Sequence, residues 1–290
     1  MDLLQTSIIS GVVSGMLYAL AGVGLVVIYR VSGYISFAQG DIAAVALFLG
    51  WFLHDGGMPY LLVALTVVVC GAVLGGLIGG LLVVPMERFG LLAAAMATIA
   101  IGIGLQGIEG AAFGGEARAF PSAGEGTALT IGPVGLSWAD VASFVVCGLI
   151  VAVLSAAFRF TRAGVAMRAV HDNPAAAEVL GIRANTLKRV AWIVSGALAG
   201  VVGLFIAPVY SLTPTSINAL LVFGFAAIVV GGFDSIGGAV VSGIVIGIAT
   251  NLTAAYVSSD LVTTSLFALL VVVLLFRPQG LFGQRPMVRV

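Results

Sequence analysis

Two interruptions in an otherwise apolar chain hold the side chains best suited to chemistry. "SGYISFAQGDIAA" (32–44) sets Ser36, Phe37, Gln39, Gly40 and Asp41 between apolar runs. "VVGGFDSIGGAVV" (229–241) does the same with Gly231, Gly232, Asp234, Ser235, Gly237 and Gly238. Non-helical backbone at membrane depth is tolerated only inside protein or beside a wet cavity. Membrane carriers place such breaks near the solute path, in corresponding positions of two halves. Each segment carries Gly, Phe, an acid and a further Gly between apolar runs, which reads as an internal repeat. Asp41 and Asp234 each have two readings. Each lines a polar path, or each N-caps the next helix by accepting from free backbone N–H groups. The sequence leaves both open.

Other chemistry is poorly served. Cys70 and Cys147 lie in apolar runs and read as small buried hydrophobes. His54 and His171 stand in separate polar segments, and no cluster has metal-ligand spacing. There is no H-E-x-x-H and no nucleophile–base pairing, so neither a metal site nor a catalytic residue is expected. "GIGLQG" (102–107) fits G-x-G-x-x-G, yet it lies inside an apolar run and not at a strand-to-helix turn. Gln106 and Glu109, one turn apart, read as lining an entrance or as interfacial polar residues. Asn251 reads as bonding a neighbouring helix. Trp51, Trp138 and Trp192 fall near the ends of apolar runs and read as interfacial anchors.

The elements that position these residues follow from composition. The 290 residues are 61% hydrophobic and 8% charged, against roughly 25% charged in soluble domains. Lipid must therefore be the solvent for most of the chain. Net charge is zero, which disfavours a nucleic-acid partner. A bilayer core needs roughly 20 apolar residues per helix. The runs are too long and uniform for barrel strands. The expected fold is an all-α polytopic bundle of about 8–10 spans, with broken or re-entrant helices, forming one transmembrane domain over 1–290. Candidate spans are 7–29, 35–53, 60–85, 91–112, 138–158, 190–208, 218–232, 236–256 and 261–276. The N-terminal run lacks the basic start of a cleaved signal and reads as a retained span.

Basic residues choose the inner side. Arg159, Arg162, Arg168, Arg183, Lys188 and Arg189 share one loop, 159–189, and Arg277, Arg285 and Arg289 follow the last span. Placing these inside, with Arg30 and Arg88, puts the N-terminus outside and the C-terminus in the cytoplasm. The segment 114–137, with Glu116 and Glu125, then faces out.

The basic loop contains "RAVHDNPAAAEVLGIRANTLKR" (168–189), a polar island in the oil. Asn173 suits an N-cap, Pro174 the first helical position, and Gly181 a left-handed stop. This predicts a helix of about two turns, too short to hold alone in water. It lies on its own protein as a solvated loop helix, or a partner grips it.

"NPAAAEVLGI" followed by "RVAWIVSGALAGVVGLF" resembles the coupling segment of ABC-transporter permeases of the branched-chain amino acid (LivH-type) group. "GLVVIYRVSGYISFAQGDIAAVALFLGWFL" and "AIVVGGFDSIGGAVVSGIVIGI" extend the resemblance to about half the chain. Members often carry His where this chain has Gln39. The resemblance implies that Asp172, Asn173, Ala175, Ala176, Glu178, Gly181 and Ile182 dock on an ATP-hydrolysing subunit. It also implies a second homologous permease, two ATPases, an extracytoplasmic binding protein and a place in the bacterial inner membrane. The implied solute is a branched-chain or related hydrophobic amino acid, with urea or short amides in close relatives. The chain's one lysine, Lys188, lacks P-loop context, so ATP and its Mg²⁺ belong to a partner. The competing class is an ion-coupled carrier using Asp41 and Asp234.

Overall fold

The computed structural model describes residues 2–124, 126–131 and 134–283. Glu125, Arg285 and Arg289 lie outside the described residues. The helices are α1 (Asp2–Ser32), α2 (Gln39–Asp55), α3 (Tyr60–Leu77), α4 (Val84–Met86), α5 (Leu91–Phe113), α6 (Trp138–Phe160), α7 (Arg162–Asp172), α8 (Pro174–Val179), α9 (Ala184–Tyr210), α10 (Ser216–Gly231), α11 (Ile236–Tyr256) and α12 (Val262–Phe276). A π-helical stretch, Ile78–Val83, joins α3 to α4. By length and composition, seven helices among the described residues can cross a membrane. The nine expected spans each find a helix. α2 and α10 are shorter than most, at 17 and 16 residues.

Three departures from expectation have simple causes. Residues 33–38 are not helical, so the second span starts at Gln39. α9 starts at Ala184, because "ANTLKR" has good helix formers despite its charge. The segment 114–137 holds a two-stranded antiparallel hairpin, β1 (Thr127–Ile131) with β2 (Val134–Ser137). The β-branched Thr127 and Thr130 favour the pleated form.

The described residues group into two compact units. The first comprises residues 1–26, 124–151 and 222–290. Its seams are built on glycine. A Cβ on Gly11 would stand 2.7 Å from the Ile248 Cα, and one on Gly15 2.6 Å from the Ile244 Cα. α1 and α11 thus meet backbone to backbone, the small-xxx-small mode of membrane helices. Tyr18 stacks on Phe223 at 4.6 Å between ring centroids.

The second unit comprises residues 27–123 and 152–221. Here α3 and α9 make the tightest seam. A Cβ on Gly196 would collide with the Gly71 carbonyl oxygen. Trp192, expected at an interface, is instead 1% exposed. Its ring fills the space left by Gly79 in the π-helical stretch, where a Cβ would run into it. Trp138 is exposed, and Trp51 lies under the Arg118 guanidinium at 4.1 Å.

Candidate functional site

Buried polar side chains gather at the start of α2, within the second unit. Asp41 sits in the first turn of α2 and is 3% exposed. It does not cap that helix. Ala38 holds the N-cap position, without a side-chain bond. Asp41 Oδ1 instead accepts from Gln106 Nε2 of α5 and from Asn218 Nδ2 of α10, both at 2.9 Å. The approach depends on two glycines. A Cβ on Gly102 would collide with Asp41 Oδ2, and one on Gly40 would stand 2.5 Å from Asn218 Oδ1.

α5 supplies the facing wall. Thr98, Gly102, Gln106 and Glu109 recur at three- and four-residue spacing and so share one face. Thr98 Oγ1 accepts from the Phe37 backbone N–H at 3.1 Å, pinning the non-helical segment that leads into α2. Glu109 is 1% exposed and neither carboxyl oxygen has a hydrogen-bond partner among the described residues. Beyond it, Phe113 stacks on Phe48 of α2 at 4.7 Å. Glu109 is buried and Gln106 half-buried. Ser36 and Gln39 are buried as well, whereas Phe37 is exposed. The cluster holds buried acceptors on Asp41 and Glu109. It contains no arrangement for covalent chemistry among the described residues.

The second interruption falls in the first unit. Ser235, not Asp234, caps α11, its side chain accepting from the Gly238 N–H. The cap reading of Asp234 is thus corrected by one residue. Gly231 has the Gly238 carbonyl where a Cβ would sit, and Gly232 takes φ +104° against the Gly283 backbone. The 281–282 segment bonds back to Val230 and Gly231. Asn251 also differs from expectation. It donates to the Gly247 carbonyl of its own helix, an acceptor within easy reach of a short amide, at 2.9 Å.

The polar island holds the expected short helix, α8, between the end of α7 and the start of α9. Thr161 caps α7, which buries Gly164, Met167 and Val170 on one face. α8 follows at once. Asn173 Oδ1 accepts from the Ala176 N–H at 3.0 Å, with Pro174 first in the helix. At the other end, the Gly181 N–H bonds the Glu178 carbonyl and the Ile182 N–H bonds the Ala177 carbonyl. This is a Schellman closure, and it needs the left-handed φ of +81° that Gly181 adopts. Asp172, Asn173, Ala176, Glu178 and Gly181 are exposed, Ile182 is half-buried, and Ala175 falls within α8. Val179 and Leu180, outside the expected contact set, are 88% and 78% exposed. They are two adjacent apolar side chains at the C-terminal end of α8.

A further cluster joins the island's far end to the first interruption. Lys188, early in α9, forms an ion pair with Glu87 Oε2. The Tyr34 hydroxyl donates to Glu87 Oε1 at 3.1 Å. Burial first, and then the Glu87 carboxylate, pushes the Tyr34 phenol above its ordinary range, so it stays a donor.

Seven spanning-length helices, with two shortened ones that start at a shared buried carboxylate, define a polytopic helical membrane protein. The chain belongs to the family described as branched-chain amino acid transport system, permease component, which matches residues 7–276. It is 31% identical to a probable branched-chain amino acid transport permease protein LivH of Methanocaldococcus jannaschii, covering 97% of this chain and 94% of that one. It is 28% identical to the high-affinity permease protein LivH of Escherichia coli K12, covering 95% and 94%. The permease protein BraD of Pseudomonas aeruginosa is 27% identical over 96% and 95%. A solved structure, PsaBC from Streptococcus pneumoniae in complex with Fab, shares the fold with a TM-score of 0.51 at 15% identity, covering 96% of this chain and 93% of that one. The chain is thus a transport subunit and not an enzyme.

Proposed function

We propose that this permease passes a branched-chain or related hydrophobic amino acid inward across the cytoplasmic membrane, driven by ATP hydrolysis in partner subunits. The N-terminus then lies outside and the C-terminus inside. A second homologous permease, two ATPases carrying ATP and Mg²⁺, and an extracytoplasmic binding protein complete the assembly. The one observation that carries the reading is α8: a capped two-turn helix with an exposed Val179–Leu180 end, on a chain without a P-loop. A helix this short gains stability from a surface that covers it. Asp172, Asn173, Ala175, Ala176, Glu178, Gly181 and Ile182 shape the contact around that end. The Asp41 cluster serves as the polar station along the path, with Ser36, Phe37, Gln39 and Gly40 beside it.

The test is reconstitution of all subunits in vesicles, with uptake and ATP hydrolysis measured together. Gly181→Val strains a left-handed residue, and Glu178→Lys reverses a charge beside the knob. Both are expected to lower uptake per ATP while membrane insertion is unchanged. Unchanged uptake and hydrolysis in both variants would sink the coupling role. Co-purification from the native membrane, with the binding protein's ligand identified, tests partners and solute.

A further inference from the structure

Lys188 is the only lysine in the chain, and it is turned inward while its neighbours Arg183 and Arg189 are exposed. Its partner Glu87 uses both carboxylate oxygens: Oε2 for Lys188 and Oε1 for Tyr34. One carboxylate therefore ties together α9, the foot of the α3–α4 helix and the non-helical 33–38 segment.

The surroundings give this tie a direction. α7 and α8 both pack on α9, and Lys188 stands six residues beyond Ile182. α9 and α3 are locked by the Gly71–Gly196 seam and by Trp192 set on Gly79. They form one packed body, since close-packed backbones cannot slide without clashes. Tyr34 is where that body grips the 33–38 segment. Five residues further, α2 begins, and Asp41 lies in its first turn. The side chains of Lys188 and Glu87 are only 13% and 11% exposed. Water screens such a pair far less than a surface bridge, so it holds geometry under load.

We propose that Tyr34, Glu87 and Lys188 form the link that carries motion of the α8 segment to the Asp41 cluster. Lys188 orients the Glu87 carboxylate, and Glu87 holds the Tyr34 hydroxyl. All three are positioning residues. The proposal rests on the coupling reading of α8.

The experiment uses the full complex in vesicles, reading uptake and ATP hydrolysis from the same preparation. With Lys188→Met or Glu87→Gln, hydrolysis is expected to stay within about twofold of wild type while uptake per ATP falls about tenfold. Tyr34→Phe is expected to cost about threefold, since only one hydrogen bond is lost. Lys188→Arg is expected to recover most of the ratio, and the swapped pair Lys188→Glu with Glu87→Lys, which lacks an acceptor for Tyr34, to recover it only to the Tyr34→Phe level. An unchanged ratio in Lys188→Met and Glu87→Gln overturns the proposal. So does a parallel fall of uptake and hydrolysis with the amount of folded complex, unrescued by Lys188→Arg or Glu87→Asp. Gly181→Val in the same vesicles separates the two ideas. If it uncouples and the Lys188 and Glu87 variants do not, only the link fails. If it does not uncouple, the reading of α8 fails first.

Discussion

Asn218 Nδ2 donates to Asp41 Oδ1 at 2.9 Å, across 177 positions of chain. The bond joins the first turns of α2 and α10, two helices outside the seven of spanning length. Non-helical backbone precedes both. Each free helix start then finds polar company inside protein, which is the condition for breaking a helix at membrane depth.

That relationship predicts the outcome of removing either partner. A buried hydrogen bond to a charged group contributes about 1.5–3 kcal/mol. Asn218→Leu is therefore expected to lower the melting temperature of the detergent-purified protein, and Asp41→Asn to lower uptake with membrane expression retained. Because Gln106 and Asn218 share one acceptor atom, a double-mutant cycle between them is expected to be non-additive. Additive losses in melting temperature would show that the two amides act separately.

Glycines on the seams and on the exposed faces are expected to respond in opposite directions. Gly196→Ala puts a methyl group into the Gly71 backbone, and overpacking of that kind costs about 1–3 kcal/mol. Gly107 is exposed on α5, and a methyl group there would meet nothing within 4 Å. Gly107→Ala is expected to gain up to about 1 kcal/mol from lost unfolded-state freedom. Thermal unfolding of the two variants side by side reads the difference.

The cap of α8 has its own signature. Asn173→Ala removes the acceptor for the Ala176 N–H and is expected to cost about 1 kcal/mol of local stability. Amide exchange over 174–182 is expected to quicken, and uptake per ATP to fall. Asn173→Ser and Asn173→Asp keep an acceptor and are expected to restore both. Equal exchange in all three variants would show that the cap does not hold the helix.

Orientation is testable with thiols. In a chain with Cys70 and Cys147 replaced by Ala, Val179→Cys is expected to react with an impermeant reagent only from the cytoplasmic side. Glu116→Cys is expected to react only from outside. Gln39 is buried in this conformation, so Gln39→Cys is expected to react only during turnover. Labelling of Val179→Cys in intact cells would invert the proposed topology.

The apolar runs of this chain determined the order of the long helices, because the length of a span is set by bilayer thickness alone. Asn173, Pro174 and Gly181 likewise fixed α8, since caps act within a few residues of themselves. Local rules also located the first break, around Ser36 to Asp41. They could not say what Asp41 does there. Its partners arrive from positions 106 and 218, and nothing in the spacing of an isolated segment states which distant amide will reach it. The same limit applied to Glu109 and Trp192, whose place along a span suggests an interface. Burial depends on which face a neighbouring helix covers, and only packing decides that. Asp234 lost its cap to Ser235 through a one-residue choice of backbone conformation. Glu87 and Lys188, 101 positions apart, met only because glycine seams bring α3 and α9 into backbone contact. Sequence wrote the elements through short-range forces, and tertiary structure assigned their polar side chains by bringing remote helices within hydrogen-bond reach.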